Sequence, residues 1–179
     1  MNEFHPSKVF KFCPFCGKTS FIWNGVNCLV CKDCNQNFYI NMSAAVVAVI
    51  FNENCELLLT RRKSNPAKGL LDLPGGFVNI GETAENAAVR EVKEELNINV
   101  SELKFIATFP NEYTFGGIQY FTEDIAFECK INDFSTISAN DDISDYEFQA
   151  LAQINIDDIG LNSIQNVIKF LKNIHKNGS

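Results

Sequence analysis

The sequence predicts an α/β sandwich with a mixed sheet, preceded by a small module stapled by four cysteines. Three observations predict it. Cys13-x2-Cys16 and Cys31-x2-Cys34 both fall in the first forty residues. Short apolar, β-branched runs alternate with helical patterns from residue 43 onward. Two of those patterns, 83–96 and 162–175, carry amphipathic helix signals. The domain boundary is expected at residues 41 and 42, giving a module over 1–41 and a sandwich over 42–179.

The elements follow in order. Residues 1–40 hold few aliphatic side chains, so the module can hardly bury a core without metal. Two C-x2-C knuckles separated by 14 residues read as a four-thiolate zinc site, because tetrahedral zinc takes four sulfurs and each knuckle offers two. Cys28 also lies at C-x2-C spacing from Cys31, so either Cys28 or Cys34 completes the set. Cys55 and Cys129, in apolar strand-like surroundings, read as small buried hydrophobes. SAAVVAVIF (43–51) is a buried strand, Asn52-Glu53-Asn54 a turn, and ELLLTRR (56–62) the returning strand. KSNPAKG (63–69) is a loop leading through Leu70–Leu73 to Gly75-Gly76. A helix starts at Thr83 as N-cap and ends near Leu96, with Val92 and Leu96 toward the core and the carboxylates facing away. Strands are expected at 98–109 and 118–129 around a loop at 111–117. Residues 132–147 read as loop and 148–156 as a last strand. Ile164, Val167, Ile168 and Leu171 set the apolar face of the final helix.

The helix from Thr83 carries the densest chemistry. Glu91, Glu94 and Glu95 stand at i, i+3 and i+4 on one face, where like charges oppose helix formation by about 0.2–0.5 kcal/mol per pair. A solvated acidic face is the ordinary reading of such a cluster. A divalent cation that neutralises it is the functional one, and hard oxygens suit magnesium or manganese better than zinc. The surrounding spacing favours the cation. Gly76 lies six residues before Glu82, and Arg90-Glu91 follows eight residues after it, ahead of Glu94-Glu95.

This pattern resembles the Nudix box, G-x5-E-x7-R-E-U-x-E-E-x-G-U, where U is a bulky aliphatic residue. Every fixed position matches except the second glycine, where Asn97 stands; asparagine is the next-best residue for a left-handed helix end. The resemblance covers residues 42–175 and implies the Nudix α/β/α sandwich. It also implies hydrolysis of a nucleoside diphosphate linked to another moiety, with Mg2+ or Mn2+ at the box. Glu91, Glu94, Glu95 and the Gly76 carbonyl then correspond to metal ligands, and Glu82 and Arg90 to residues that orient them. Catalytic roles fall to Glu94, Glu95 and Glu147; Asp141, Asp142 and Asp145 are further carboxylates beyond the box. Arg61, Tyr113 and Phe115 are substrate-binding candidates: Arg61 (or Arg62) for phosphate, the aromatics for stacking. For each of these a surface or core-anchoring role competes.

A cysteine module directly before such a domain resembles the zinc ribbon of the NADH pyrophosphatases, including those that remove NAD caps from RNA. By that resemblance Cys34 joins Cys13, Cys16 and Cys31, and the ribbon is structural, with a homodimer implied. The NADH-cleaving members carry S-Q-P-W-P-F-P-x-S after the box, where this chain reads TFPNEYTFG, and a large domain before the ribbon, where twelve residues precede Cys13. The class that remains is a dinucleotide such as NADH, or ADP-ribose. A nucleotide-sensing module without turnover and an RNA-cap processing protein are the alternatives.

Bulk properties exclude other classes. Net charge is −7 and the pI about 4.8, so no long-range field draws nucleic acid to the chain. Lys8, Lys11, Lys18 and Lys32 give the module a slight positive bias, short of a basic patch. No apolar run reaches membrane-spanning length, and MNEFHPSKVFKF has no apolar h-region. A cytoplasmic protein with reduced thiols is the expectation.

Overall fold

A computed structural model describes residues 2–177. The chain divides into two compact units. The first comprises Met1–Met42 and Glu112–Phe121; the second comprises Ser43–Asn111 and Thr122–Ser179.

The first unit opens with a single helical turn, α1 (Pro6–Val9). Three short strands follow, β1 (Phe21–Trp23), β2 (Cys28–Cys31) and β3 (Asn37–Tyr39), joined antiparallel in that order. Cys28, Leu29 and Cys31 are buried here, a small apolar centre. His5 packs edge-on against Trp23 (5.0 Å) and Phe121 (5.8 Å).

The second unit is the sandwich. Strand β4 (Ser43–Val49) pairs antiparallel with β7 (Gly75–Phe77) and parallel with β9 (Ile118–Ile131), which neighbours β8 (Val100–Phe115). Strand β5 (Glu56–Arg62) lies between β6 (Leu71–Asp72) and β10 (Ile143–Ala150), antiparallel to both. Helix α2 (Ala84–Leu96) and helix α3 (Asn162–Asn177) cover opposite faces. The period-2 alternation of strands sorts the core accordingly. Val46, Ala48, Ile50 and Leu58 join Ala88, Val92 and Leu96 of α2. Val47, Val49, Leu57 and Leu59 join Ile164, Val167, Ile168 and Leu171 of α3. Coverage on both faces is why 44–51 is apolar without interruption. No helix among the described residues is long and apolar enough to cross a membrane.

Three expectations are corrected. The final strand runs over 143–150 rather than 148–156, and two short 3-10 turns at Leu151–Gln153 and Ile156–Asp158 follow it. Ser144, Asp145, Glu147 and Gln149 give this strand a polar composition, and a bulge between Ile143 and Asp145 breaks its register. The β8–β9 hairpin continues to a Gly116-Gly117 turn, taking in the residues read as loop. Cys55 is an exposed turn residue with φ 58°, outside the core. Cys129 is buried as expected.

Candidate active site and cysteine cluster

The two knuckles of the first unit are built alike. In each, the residue four positions after the first cysteine adopts a left-handed backbone (Gly17, φ 74°; Asn35, φ 56°). Its N–H donates to that cysteine's carbonyl, Gly17 to Cys13 at 2.8 Å and Asn35 to Cys31 at 2.9 Å. Both loops therefore curl around their sulfurs. Cys13 Sγ lies 3.7 Å from Cys34 Sγ, and Cys16 Sγ lies 3.6 Å from Cys31 Sγ. All four sulfurs are within 4.8 Å of one another. Zinc–sulfur bonds of about 2.3 Å separate the corners of a tetrahedron by about 3.8 Å, so this set fits zinc. Ser20 lies 3.3 Å from the Cys31 sulfur. Its hydroxyl, then the Cys34 amide, lower the Cys31 thiol to about 6. At Cys34 the Gln36 amide pulls down, but burial and the other sulfurs raise the thiol to about 12. Four sulfurs this close cannot all ionise without a cation between them. Cys28, the alternative fourth ligand, is buried in the ribbon with its thiol toward the Leu29 carbonyl.

The acidic helix is positioned by its ends. Thr83 caps it by accepting from the Asn86 N–H at 3.2 Å, and Asn97 closes it at φ 55°. The loop after β9 then covers the helix end. Ser138 and Asn140 donate their N–H groups to the carbonyls of Leu96 and Glu95 at 3.0 and 2.8 Å.

Arg90 is the hub of this site. Its guanidinium forms a two-pronged pair with Glu82 at 2.9 Å and reaches Glu91 at 2.7 Å, Glu94 at 2.9 Å and the Phe77 carbonyl at 3.0 Å. Glu82, held by Arg90 and by the Asn79 amide, has its carboxyl pushed down to about 2. Glu91 lies against Gly76 so closely that a Cβ there would sit 2.4 Å from its Oε1. Burial raises Glu91, Arg90 opposes, and Glu94 and Asp141 add to the rise.

Glu95 differs from the other three. It is 5% exposed, where the sequence expectation had it facing away from the core. Its Oε2 accepts from the Gly75 N–H at 3.1 Å. Burial drives its carboxyl up to about 8 against that hydrogen bond, and Glu91, Asp72 and Asp142 add to the rise. Arg90 thus offers one positive charge to three carboxylates, and Glu95 is left with an amide. Buried carboxylates short of a counter-charge, all hard oxygen donors, fit magnesium or manganese.

Among the described residues the four sulfurs are the only group of three or more candidate ligands gathered within 4.8 Å. The box carboxylates are spread more widely, because Arg90 draws Glu82, Glu91 and Glu94 while Gly75 holds Glu95.

The remaining candidates have contacts of their own. Glu147, on β10, accepts from Gln149 Nε2 at 2.8 Å and lies 3.9 Å from Arg61. Arg61 donates to the Gly69 carbonyl at 2.8 Å. Asp145 accepts from the Tyr146 N–H at 2.9 Å. Tyr113 and Phe115 belong to the first unit, where Tyr113 stacks on Tyr120 (5.6 Å, 15°) and Phe115 is exposed. Asp141 and Asp142 are the carboxylates beyond the box that act electrostatically on Glu91 and Glu95. Asp72 acts on Glu95 as well, and sequence reasoning missed it. The signal available was a charged residue inside the otherwise apolar Leu70–Leu73 run.

The sequence pattern of the NUDIX domain matches residues 42–168. The chain is 28% identical over 134 residues to an NAD-capped RNA hydrolase, NudC, of Vibrio atlanticus, a match covering 75% of this chain and 49% of that protein. It is 50% identical over 60 residues to an ADP-ribose pyrophosphatase of Methanocaldococcus jannaschii, covering 34% of this chain and 35% of that one. This chain therefore spans about half the length of the curated NudC relative it matches. The crystal structure of a NUDIX hydrolase from Nitrosomonas europaea aligns over 93% of both chains with a TM-score of 0.67 at 24% identity. The NUDIX domain of Shewanella oneidensis NrtR, complexed with ADP ribose, aligns over 76% of this chain and 90% of its own with a TM-score of 0.60 at 19% identity. At such identities the structural likeness carries the fold.

Proposed function

The chain belongs to the NUDIX domain family, and from this premise we propose that it hydrolyses the pyrophosphate bond of a nucleoside diphosphate linked to another moiety. Dinucleotides such as NADH, and ADP-ribose, are the substrate class. The observation that carries the reading is Glu95, a buried carboxylate beside Glu91 with no side-chain cation of its own among the described residues. A solvated acidic face would not bury it. The names of the relatives, an NAD-capped RNA hydrolase and an ADP-ribose pyrophosphatase, support the same class.

Glu91, Glu94, Glu95 and the Gly76 carbonyl would hold magnesium or manganese. When bound, the cation neutralises phosphate charge and lowers the pKa of a water. Water attacks one phosphorus, the bridging P–O bond breaks, and the two products leave as phosphate monoesters. The Gly75 N–H orients Glu95, and Arg90 fixes the rotamers of Glu82, Glu91 and Glu94. The proton of the attacking water goes to a carboxylate. Glu94, Glu95 and Glu147 are candidates, and Asp142 joins them because it acts on Glu95 whereas Glu147 is engaged with Arg61 and Gln149. Arg61, Tyr113 and Phe115 remain proposed substrate contacts. The four cysteines hold a structural zinc, in a module over 1–41 ahead of the hydrolase domain over 42–179. A homodimer in the cytoplasm completes this reading.

The test is product release from NADH, NAD, ADP-ribose, diadenosine polyphosphates, nucleoside triphosphates and NAD-capped RNA, with magnesium or manganese, beside Glu95→Gln. Turnover of one class, reduced at least about 100-fold in Glu95→Gln, is the expected result. Nucleotide binding without turnover of any substrate would replace the hydrolase with a sensing module.

A further inference from the structure

We propose that Asp72, locked by Arg62, is a positioning residue for the acidic box, fixing the Leu73–Gly76 segment on which Glu95 and Glu91 are seated. The inference rests on the box being a metal centre. Asp72 is 5% exposed and is gripped from two sides. Its Oδ1 accepts from the Leu73 N–H at 2.8 Å, and its Oδ2 pairs with Arg62 Nη1. Arg62 is itself fixed: its Nε donates to the Pro66 carbonyl at 2.6 Å and its backbone N–H to the Leu70 carbonyl at 3.0 Å.

From Leu73 to the box each successive residue is tied to a neighbour. The Pro74 carbonyl accepts from the Ala48 N–H at 2.8 Å. Gly75 donates to Glu95, and its backbone is so near β4 that a Cβ would sit 2.0 Å from the Val46 carbonyl oxygen. Gly76 then forms the seat for Glu91. Asp72 sets the first hydrogen bond of this series, and a shift there carries to the Gly75 N–H three residues later.

The choice of side chain argues for position over stability. A hydroxyl or amide could accept from Leu73 without burying another negative charge close to Glu95. Buried ion pairs contribute little net stability compared with apolar packing, yet they fix geometry well when both partners are held. Here both are.

The test titrates the zinc-loaded full chain with Mn2+, reading free Mn2+ by electron paramagnetic resonance, in wild type, Asp72→Ala and Asp72→Asn. Amide hydrogen exchange at Gly75, without Mn2+, is read alongside. Asp72→Ala is expected to weaken Mn2+ binding about tenfold, and Asp72→Asn, which keeps an acceptor for Leu73, about threefold. Gly75 exchange should quicken in both while amides of β8 and β10 keep their wild-type rates. If Asp72→Ala does not fold, Asp72→Asn carries both readouts. Wild-type Mn2+ affinity in the variants overturns the inference alone. So does faster exchange spread evenly over the second unit, which marks a merely structural role. Failure of the wild type to bind Mn2+ sinks the metal-centre reading and the inference with it.

Discussion

The cysteine cluster and the acidic box are both short-spaced sets of four potential ligands, yet only the first is gathered without a cation. Its four sulfurs lie within 4.8 Å of one another, two pairs at 3.6 and 3.7 Å, because two backbone turns place them. The box carboxylates are shared out between Arg90 and Gly75 instead. The difference fits the two proposed tasks. Four ligands around one point close a structural site, whereas a reaction centre must keep positions open for water and substrate. By the proposed function, the ribbon without metal would lose the centre of its core, and the box would lose its counter-charge.

The largest effect is expected from breaking the closed site. Structural zinc contributes on the order of 10 kcal/mol in zinc-finger peptides. Stripping zinc with a strong chelator, or Cys31→Ser, should collapse the amide resonances of 13–39 while those of α2 and α3 persist. Collapse of the whole spectrum would show that the two units depend on one zinc.

Next is the hub of the open site. Arg90→Met leaves three carboxylates without their shared partner and should cost about 10- to 100-fold in Mn2+ affinity or turnover. Arg90→Lys keeps the charge but lacks the fork and should fall between. Equal behaviour of wild type and Arg90→Met would return Arg90 to a surface ion pair.

The pH dependence sharpens the contrast within the box. Glu95 is raised in the fold to about 8 from 4.5. Its proton is retained by the folded chain, so its contribution is fully present below pH 4.5 and is lost as pH rises toward 8. Metal-free protein should lose on the order of 3–5 kcal/mol from this group over that range. Glu82 has the opposite sign, lowered to about 2; its contribution is present above 4.5 and is lost as pH falls through 2. Urea denaturation at pH 5 and pH 8 checks the first, with Glu95→Gln abolishing the difference and Mn2+ reversing it. The smallest effect is at the helix end. Asn97→Ala should cost about 1 kcal/mol for its left-handed backbone, and Asn97→Gly should stay within about 0.5 kcal/mol of wild type.

Legibility in the sequence followed the range of the interaction. The cysteine pairs, Thr83 as cap, Asn97 as helix end and the 43–49 and 56–62 strands depend on neighbours a few residues away, and each was readable from spacing and residue type. The burial of Glu95 was not, because its carboxylate is seated against the Gly75 N–H, twenty residues upstream on another element. The strand over 143–150 was hidden by its polar residues, and the hairpin tip by belonging to the first unit. Cys55 looked apolar by its neighbours but sits at the turn those neighbours require. Asp72 and Arg62 gain their meaning from each other, ten residues apart across paired strands.

The most direct measurement is metal content and turnover on one sample, dialysed against a mild chelator and then returned to magnesium or manganese. One zinc per chain should be retained throughout, with turnover absent after dialysis and restored by the divalent cation alone. Turnover that survives dialysis, or zinc that leaves and returns with activity, would contradict the division between a closed structural site and an open reaction centre.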